Sequence, residues 1–207
     1  MKKAVLSLVA PGSRSSSDTV SLELVRKSIH LLVALVPVLA SVSVTITMEL
    51  LAAGTLFYVV AETARRAGVP IAFVSDITLI ASRSREKDRF VLGPVTLGLG
   101  AMLALLLYPM QASAIAIFSL AFGDSLASLV GRSVGGWRVP FTRRKTLAGS
   151  TACFVGILAL AFRSSGNLSA AFWIAAGGAL LEAYAPDDMD NVMIPVGTGF
   201  LAWRLLG

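Results

Sequence analysis

Ala114-Ile115-Ala116-Ile117-Phe118-Ser119-Leu120-Ala121-Phe122-Gly123-Asp124-Ser125-Leu126-Ala127-Ser128-Leu129-Val130-Gly131 is an apolar run broken by a single acid. Extended back to Gln111, it has the length of a membrane span, which needs about 20 mostly apolar residues. A surface helix of a soluble protein would set a charged face against an apolar one. Here one carboxylate sits inside a run that is apolar all round. An ionised aspartate there is costly unless it is paired, hydrated or bound to a cation. The stretch reads as a transmembrane helix that carries a polar group for a reason.

The same pattern repeats outward in both directions, at 28–45, 47–64, 90–108, 111–130, 147–163, 168–185 and 191–206. The fold class predicted is an all-α polytopic membrane protein with about seven transmembrane helices in one bundle. Composition agrees: 56% of the 207 residues are hydrophobic and 14% charged, against about a quarter charged in ordinary domains. Disorder, collagen-like repeats and coiled coil are excluded by apolar content and period, and a disulfide scaffold by Cys153 being the only cysteine. Residues 1–21 read as an N-terminal tail or interfacial segment rather than a cleaved signal, because the apolar run from Ala4 to Ala10 is short. Residues 22–207 form a single membrane-embedded domain. Residues 71–77, which include Asp76, are too short to span and suit an interfacial helix.

Charge placement sets the predicted topology. With the N-terminus cytoplasmic and the spans alternating, the C-terminus is external, and all 18 basic residues except Arg163 and Arg204 lie on the cytoplasmic side. That is the positive-inside pattern. The net charge of +6 therefore records orientation, and no nucleic-acid partner is called for. Acids have no such bias, yet all 12 but Glu49 fall at the cytoplasmic side or near a cytoplasmic span end. His30, the only histidine, lies at that end of the first span. Both signs gathered at one face suit a polyanion with a metal.

Asp124 and Gly131 share a helix face with Ala127 and Ser128 between them. The small residues suit a close-approaching ligand or simply a helix interface. The following loop ends in Arg143-Arg144-Lys145-Thr146, one turn before Gly149-Ser150. A lysine beside a helix N-terminus suits phosphate oxygens, although the Walker order is absent. An anionic-lipid anchor made by Arg143, Arg144 and Lys145 explains the same cations. Arg26 and His30 share a face at the first span, with Lys27 one position round, and snorkelling alone accounts for Arg26 and Lys27. Glu62 has Arg65 and Arg66 at ion-pair spacing, Glu182 lies inside the sixth span, and Asp190-Asn191 could be an N-cap. Asp187 and Asp188 are read as solvent-facing. Gly177-Gly178 and Gly197-x-Gly199 could pack helices within one chain or in a homodimer.

Four of these motifs occur in one order: Arg26-Lys-x-x-His30, Gly123-Asp124-x-x-Ala127-x-x-x-Gly131-x-x-x-Gly135, Lys145-Thr-x-x-Gly149-Ser150 and Glu182…Asp190-Asn191-x-x-x-Pro195. In this the chain resembles the integral-membrane, CTP-dependent lipid kinases, the dolichol, phytol and diacylglycerol/polyprenol kinase family, from about Leu22 to Phe200. The resemblance implies transfer of the CTP γ-phosphate to a lipid hydroxyl at the cytoplasmic face, with Mg²⁺ or another divalent cation. It marks Arg26, Lys27, His30, Asp124, Gly131 and Lys145 as important. One departure is Ala148, where many members carry glutamate in a Lys-Ser/Thr-x-Glu-Gly-Ser run.

On this reading the catalytic candidates are Asp124, His30 and Lys145, with Asp124 or His30 as base. The metal candidates are Asp124, Glu182 and Asp190, hard oxygen ligands suited to magnesium. The nucleotide set is Arg26, Lys27, Gly123, Ser128, Gly131, Arg132, Gly135, Arg144, Lys145, Thr146, Gly149 and Ser150. The lipid alcohol enters laterally from the bilayer, and the expected location is the inner membrane of a prokaryote. Two alternatives stay open. One is a phosphatidate cytidylyltransferase-like enzyme, although its Asp-Arg-x-Asp signature is absent. The other is a small non-enzymatic lipid transporter, which one-sided charge argues against.

Overall fold

The computed structural model describes residues 26–69, 71, 74–75, 78, 89–142, 145–186 and 189–207. Asp76, Arg143, Arg144, Asp187 and Asp188, together with the N-terminal tail, lie outside the described residues. Among those described the secondary structure is helical, with one isolated bridge between Arg138 and Thr146. The helices follow the apolar runs: α1 over 26–42, α2 Val44–Arg66, α3 Gly93–Leu107, α4 Met110–Val134, α5 Leu147–Ser165, α6 Leu168–Tyr184 and α7 Asp190–Leu206. Of these, α2, α4 and α5 are long and apolar enough to cross a membrane, while α3 and α6 are shorter apolar helices.

Local chemistry sets the boundaries. Ser43 ends α1 and caps α2, its Oγ accepting from the Ile46 N–H at 3.3 Å. Thr146 does the same for α5 and Asn167 for α6, each accepting from the amide three residues on. Pro94 sits in the first turn of α3, where its missing N–H costs nothing. Two helices are irregular. The chain tightens to a 3-10 turn at Leu32–Leu35 inside α1, and α4 widens to a π-helix at Ser119–Asp124. Neither is visible in an apolar pattern. Single π turns occur often at functional sites, and this one ends on Asp124.

The core is built around α4. More than half of its span window, 56%, is buried inside the chain, against 11% for α2 and 22% for α5. Ile115, Ile117 and Leu120 of α4 are fully buried with Ile157 of α5, Ile174 of α6 and Ile194 of α7. α2 instead presents Leu50, Leu56, Phe57 and Val60 outward, as a lipid-facing helix does. Small residues let the helices close up. Cβ atoms placed at Gly177, Gly178, Gly197 and Gly199 would collide with Leu201, Ile157 and Thr198, Leu181, and Tyr108 respectively, so these four glycines serve packing within the chain. Pro195 removes the N–H that would bond the Asn191 carbonyl in α7. Gly100 of α3 packs against that carbonyl so tightly that a Cβ there would come within 1.9 Å of it.

Five contacts tie the same ends of the helices together. Lys27 of α1 meets Asp124 of α4, and Lys145 before α5 meets Glu182 of α6. The Asn191 side-chain amide of α7 donates to the Gly93 carbonyl and to Thr96 Oγ1 of α3. Glu62 of α2 accepts from the Val91 N–H before α3 at 3.0 Å. The bundle thus has one polar end and otherwise apolar flanks.

Candidate active site

Asp124 is the hub. It is 5% exposed, and its Oδ2 receives the Lys27 ammonium, with His30 Nε2 of α1 at 3.5 Å. Lys27 and His30 are buried as well, so the spacing of three along α1 aims both at one partner on α4. His30 Nε2 also lies 3.3 Å from the Leu120 carbonyl, inside the π-helical turn. Donating a proton there fixes that nitrogen as N–H, leaving it no lone pair. Arg26, at the start of α1, is partly exposed.

Lys145 and Glu182 make the second pair. The Lys145 ammonium donates to Glu182 Oε1, while Glu182 Oε2 is buried with no hydrogen-bond partner. Burial works against the Lys145 charge, but Glu182 outweighs it, with Asp124 and Asp190 adding, and the lysine pKa is held above its ordinary range. Ala148, where the family that the chain resembles often carries a glutamate, lies in the first turn of α5. The carboxylate that reaches Lys145 comes from α6 instead.

The other expected nucleotide positions divide. The Gly149 amide donates to Thr146 Oγ1 at 3.2 Å, the Ser150 amide to the Thr146 carbonyl at 3.0 Å and the Leu147 amide to the Trp137 carbonyl at 2.9 Å. These α5 amides are engaged within the chain. Gly149 and Gly131 line the crossing of α5 over α4, and Gly123 faces Cys153 and Ile157 of α5. Gly135 ends α4, with φ +64 and its N–H on the Gly131 carbonyl. Arg132 is exposed and Ser128 partly so. Ser150 stands apart: its Oγ is buried without a partner, as is Ser125 Oγ beside Asp124. Buried polar atoms are nearly always paired, so Ser125, Ser150 and Glu182 offer unused hydrogen-bonding capacity on α4, α5 and α6.

No group of three metal-ligating side chains occurs among the described residues. Asp190 is buried, its Oδ1 accepting the Asn191 N–H at 2.9 Å. Mg²⁺ usually keeps several waters and takes one or two carboxylates plus substrate phosphates. The unpartnered Oε2 of Glu182 fits that sparse demand; among the described residues no fully protein-built metal cage occurs.

Sequence reasoning missed the role of Glu62. It is 1% exposed and accepts from Arg65 Nε at 2.7 Å and Nη2 at 2.6 Å as well as from Val91. The three-residue spacing to Arg65 signalled the ion pair; nothing local signalled Val91.

No family model and no solved structure matches the chain. Two curated plant proteins do. A protein of Triticum aestivum named probable phytol kinase, chloroplastic, is 29% identical over 158 residues, 66% of this chain and 52% of the relative. A Zea mays protein of the same name is 29% identical over 152 residues, 63% of this chain and 50% of the relative. The chain spans about half the length of the curated relatives it matches. Over about two thirds of its length, this helical bundle with its buried charged end is similar to these two plant proteins.

Proposed function

We propose that the chain transfers the γ-phosphate of CTP to the hydroxyl of a membrane lipid alcohol at the cytoplasmic end of the bundle. The observation that carries this reading is the double ion pair, Lys27–Asp124 and Lys145–Glu182, at the polar end of an apolar bundle. Two lysines held by carboxylates can turn to a triphosphate, and the carboxylates they leave can serve a hydroxyl and a divalent cation. Phosphoryl transfer asks chiefly for positioning and charge neutralisation, which such a site supplies.

In this reading all seven helices cross the bilayer, with the polar end cytoplasmic, as the distribution of Lys and Arg favours. Lys27 and Lys145 bind phosphate oxygens, and Arg26 assists from the rim. Ser150 Oγ hydrogen-bonds the nucleotide. Asp124 orients the lipid hydroxyl and takes its proton as the alcohol oxygen bonds to the γ-phosphorus and CDP leaves. His30 holds the π-helical turn and the Asp124 carboxylate in place. Glu182 and Asp124 are the residues that would hold Mg²⁺, which when bound neutralises charge on the phosphates. The lipid enters between helices from the bilayer. The names of the relatives favour a phytol-like prenyl alcohol over diacylglycerol or a polyprenol. The membrane in this proposal is the inner membrane of a prokaryote.

The deciding experiment uses CTP labelled on the α or the γ phosphate, with purified protein and phytol, a polyprenol or diacylglycerol. Only γ label should reach the lipid. Transfer of α label would establish the cytidylyltransferase reaction, and CTP binding with no transfer to any alcohol would defeat the kinase reading.

A further inference from the structure

We propose that the hairpin joining α4 to α5 is a membrane-surface anchor, with Trp137 and Phe141 seated in the headgroup layer of an anionic bilayer. Gly135 and Gly136, at φ +64 and +89, turn the chain out of α4. It then doubles back: the Val139 N–H donates to the Lys145 carbonyl at 3.0 Å and the Leu147 N–H to the Trp137 carbonyl at 2.9 Å. Val139 plugs this hairpin into the body at 8% exposure, while Trp137 is 84% and Phe141 fully exposed. Phe141 also has φ +62. A bulky residue in the left-handed region is strained, and strain persists where something offsets it. The Val139–Thr142 turn, with Pro140 at its second position and the Thr142 N–H donating to the Val139 carbonyl at 3.2 Å, holds that φ and throws the ring outward. A ring this exposed gains almost no packing from the chain, so what receives it lies outside.

Position says what that outside is. Both helices that the hairpin joins are long and apolar enough to cross a membrane, which holds it at the bilayer boundary. Val134 and Leu147, exposed at its two ends, continue the apolar surface toward the hydrocarbon. Tryptophan concentrates at that boundary, and the exposed Arg138 beside it supplies a cation for anionic headgroups. The anchor thereby sets the height of Lys145 at the membrane surface.

The test leaves Trp137 as the sole tryptophan, through W173F and W203F at outward-facing positions, in full-length protein in nanodiscs. Acyl-chain-brominated phosphatidylglycerol should quench Trp137 strongly, and iodide weakly, with weaker lipid quenching in phosphatidylcholine discs. F141G should leave the melting temperature unchanged or higher, because it relieves the strained φ, and should increase iodide access to Trp137. Free iodide quenching with no lipid quenching overturns the proposal. So does CTP shielding Trp137 in phosphatidylcholine discs, which would make the ring a nucleobase platform, or a lowered melting temperature in F141G, which would make Phe141 a packing residue. None of these readouts depends on turnover.

Discussion

Gly131 of α4 and Gly149 of α5 face each other across a helix crossing. A Cβ on Gly149 would stand 3.3 Å from the Gly131 Cα and 2.6 Å from the Ala127 carbonyl oxygen. The backbone cannot give as a flexible side chain can. G149A should therefore cost about 1–3 kcal/mol, the range for overpacking a filled interior. G131A should cost less, since its new methyl would meet chiefly the Thr146 hydroxyl at 2.9 Å. Thermal unfolding in detergent with both variants checks the order. If G149A melts like the parent while CTP affinity collapses, Gly149 serves the nucleotide rather than the crossing.

Glu62 supplies a second stability prediction. Its carboxylate accepts from both Arg65 and the Val91 amide, linking the end of α2 to the segment before α3, and Arg65 Nη2 also reaches the Arg89 carbonyl at 3.5 Å. E62A leaves the largely buried Arg65 guanidinium and the Val91 N–H without that acceptor, and should cost about 3–5 kcal/mol. Hydrogen exchange at the Val91 amide should accelerate more than exchange in α5, which is remote from the clamp. Uniform acceleration would mean that Glu62 supports the whole bundle rather than one junction.

Much of this was legible in the sequence, for identifiable reasons. Helix existence came from apolar length, so the seven runs matched α1–α7 to within about four residues at the ends. His30, Asp124 and Glu182 could be picked out because ionisable groups in apolar runs are conspicuous, while Lys27 and Lys145 were marked only as cations flanking a run and by the family resemblance. Their pairing could not, since Lys27 and Asp124 are 97 residues apart and Lys145 and Glu182 are 37 apart. The π-helical turn was hidden because hydrophobic periodicity is blind to one inserted residue. Gly131, Gly149 and Thr146 were ambiguous on sequence, where small residues suit phosphate and helix packing alike. Thr146 proves to be a helix cap, and the two glycines line a crossing.

The Lys27–Asp124 pair separates folding from chemistry. Removing one partner leaves the other charge buried alone, so K27M and D124N should each lose about 3–5 kcal/mol. The double variant K27M/D124N restores charge balance and should melt well above either single. Its γ-phosphate transfer should stay at background, because neither the ammonium proposed to bind phosphate nor the carboxylate proposed as base returns. Recovery of turnover together with stability would show that the pair is only structural.

The Lys145–Glu182 pair carries a pH prediction. Glu182 holds the Lys145 pKa above its ordinary range against burial, which alone would lower it. While Glu182 stays ionised, the Lys145 contribution is therefore fully present below the ordinary lysine value and is lost as pH rises through the raised one. In E182Q the burial remains and the main opposing charge is gone, so Lys145 should release its proton at lower pH. The alkaline limb of kcat/KM for CTP should accordingly move to lower pH in E182Q. K145A should lose turnover at every pH, and K145R should keep part of it with an alkaline limb that no longer responds to E182Q. An alkaline limb at the same pH in E182Q as in the parent would mean that Lys145 does not carry the charge that meets the triphosphate.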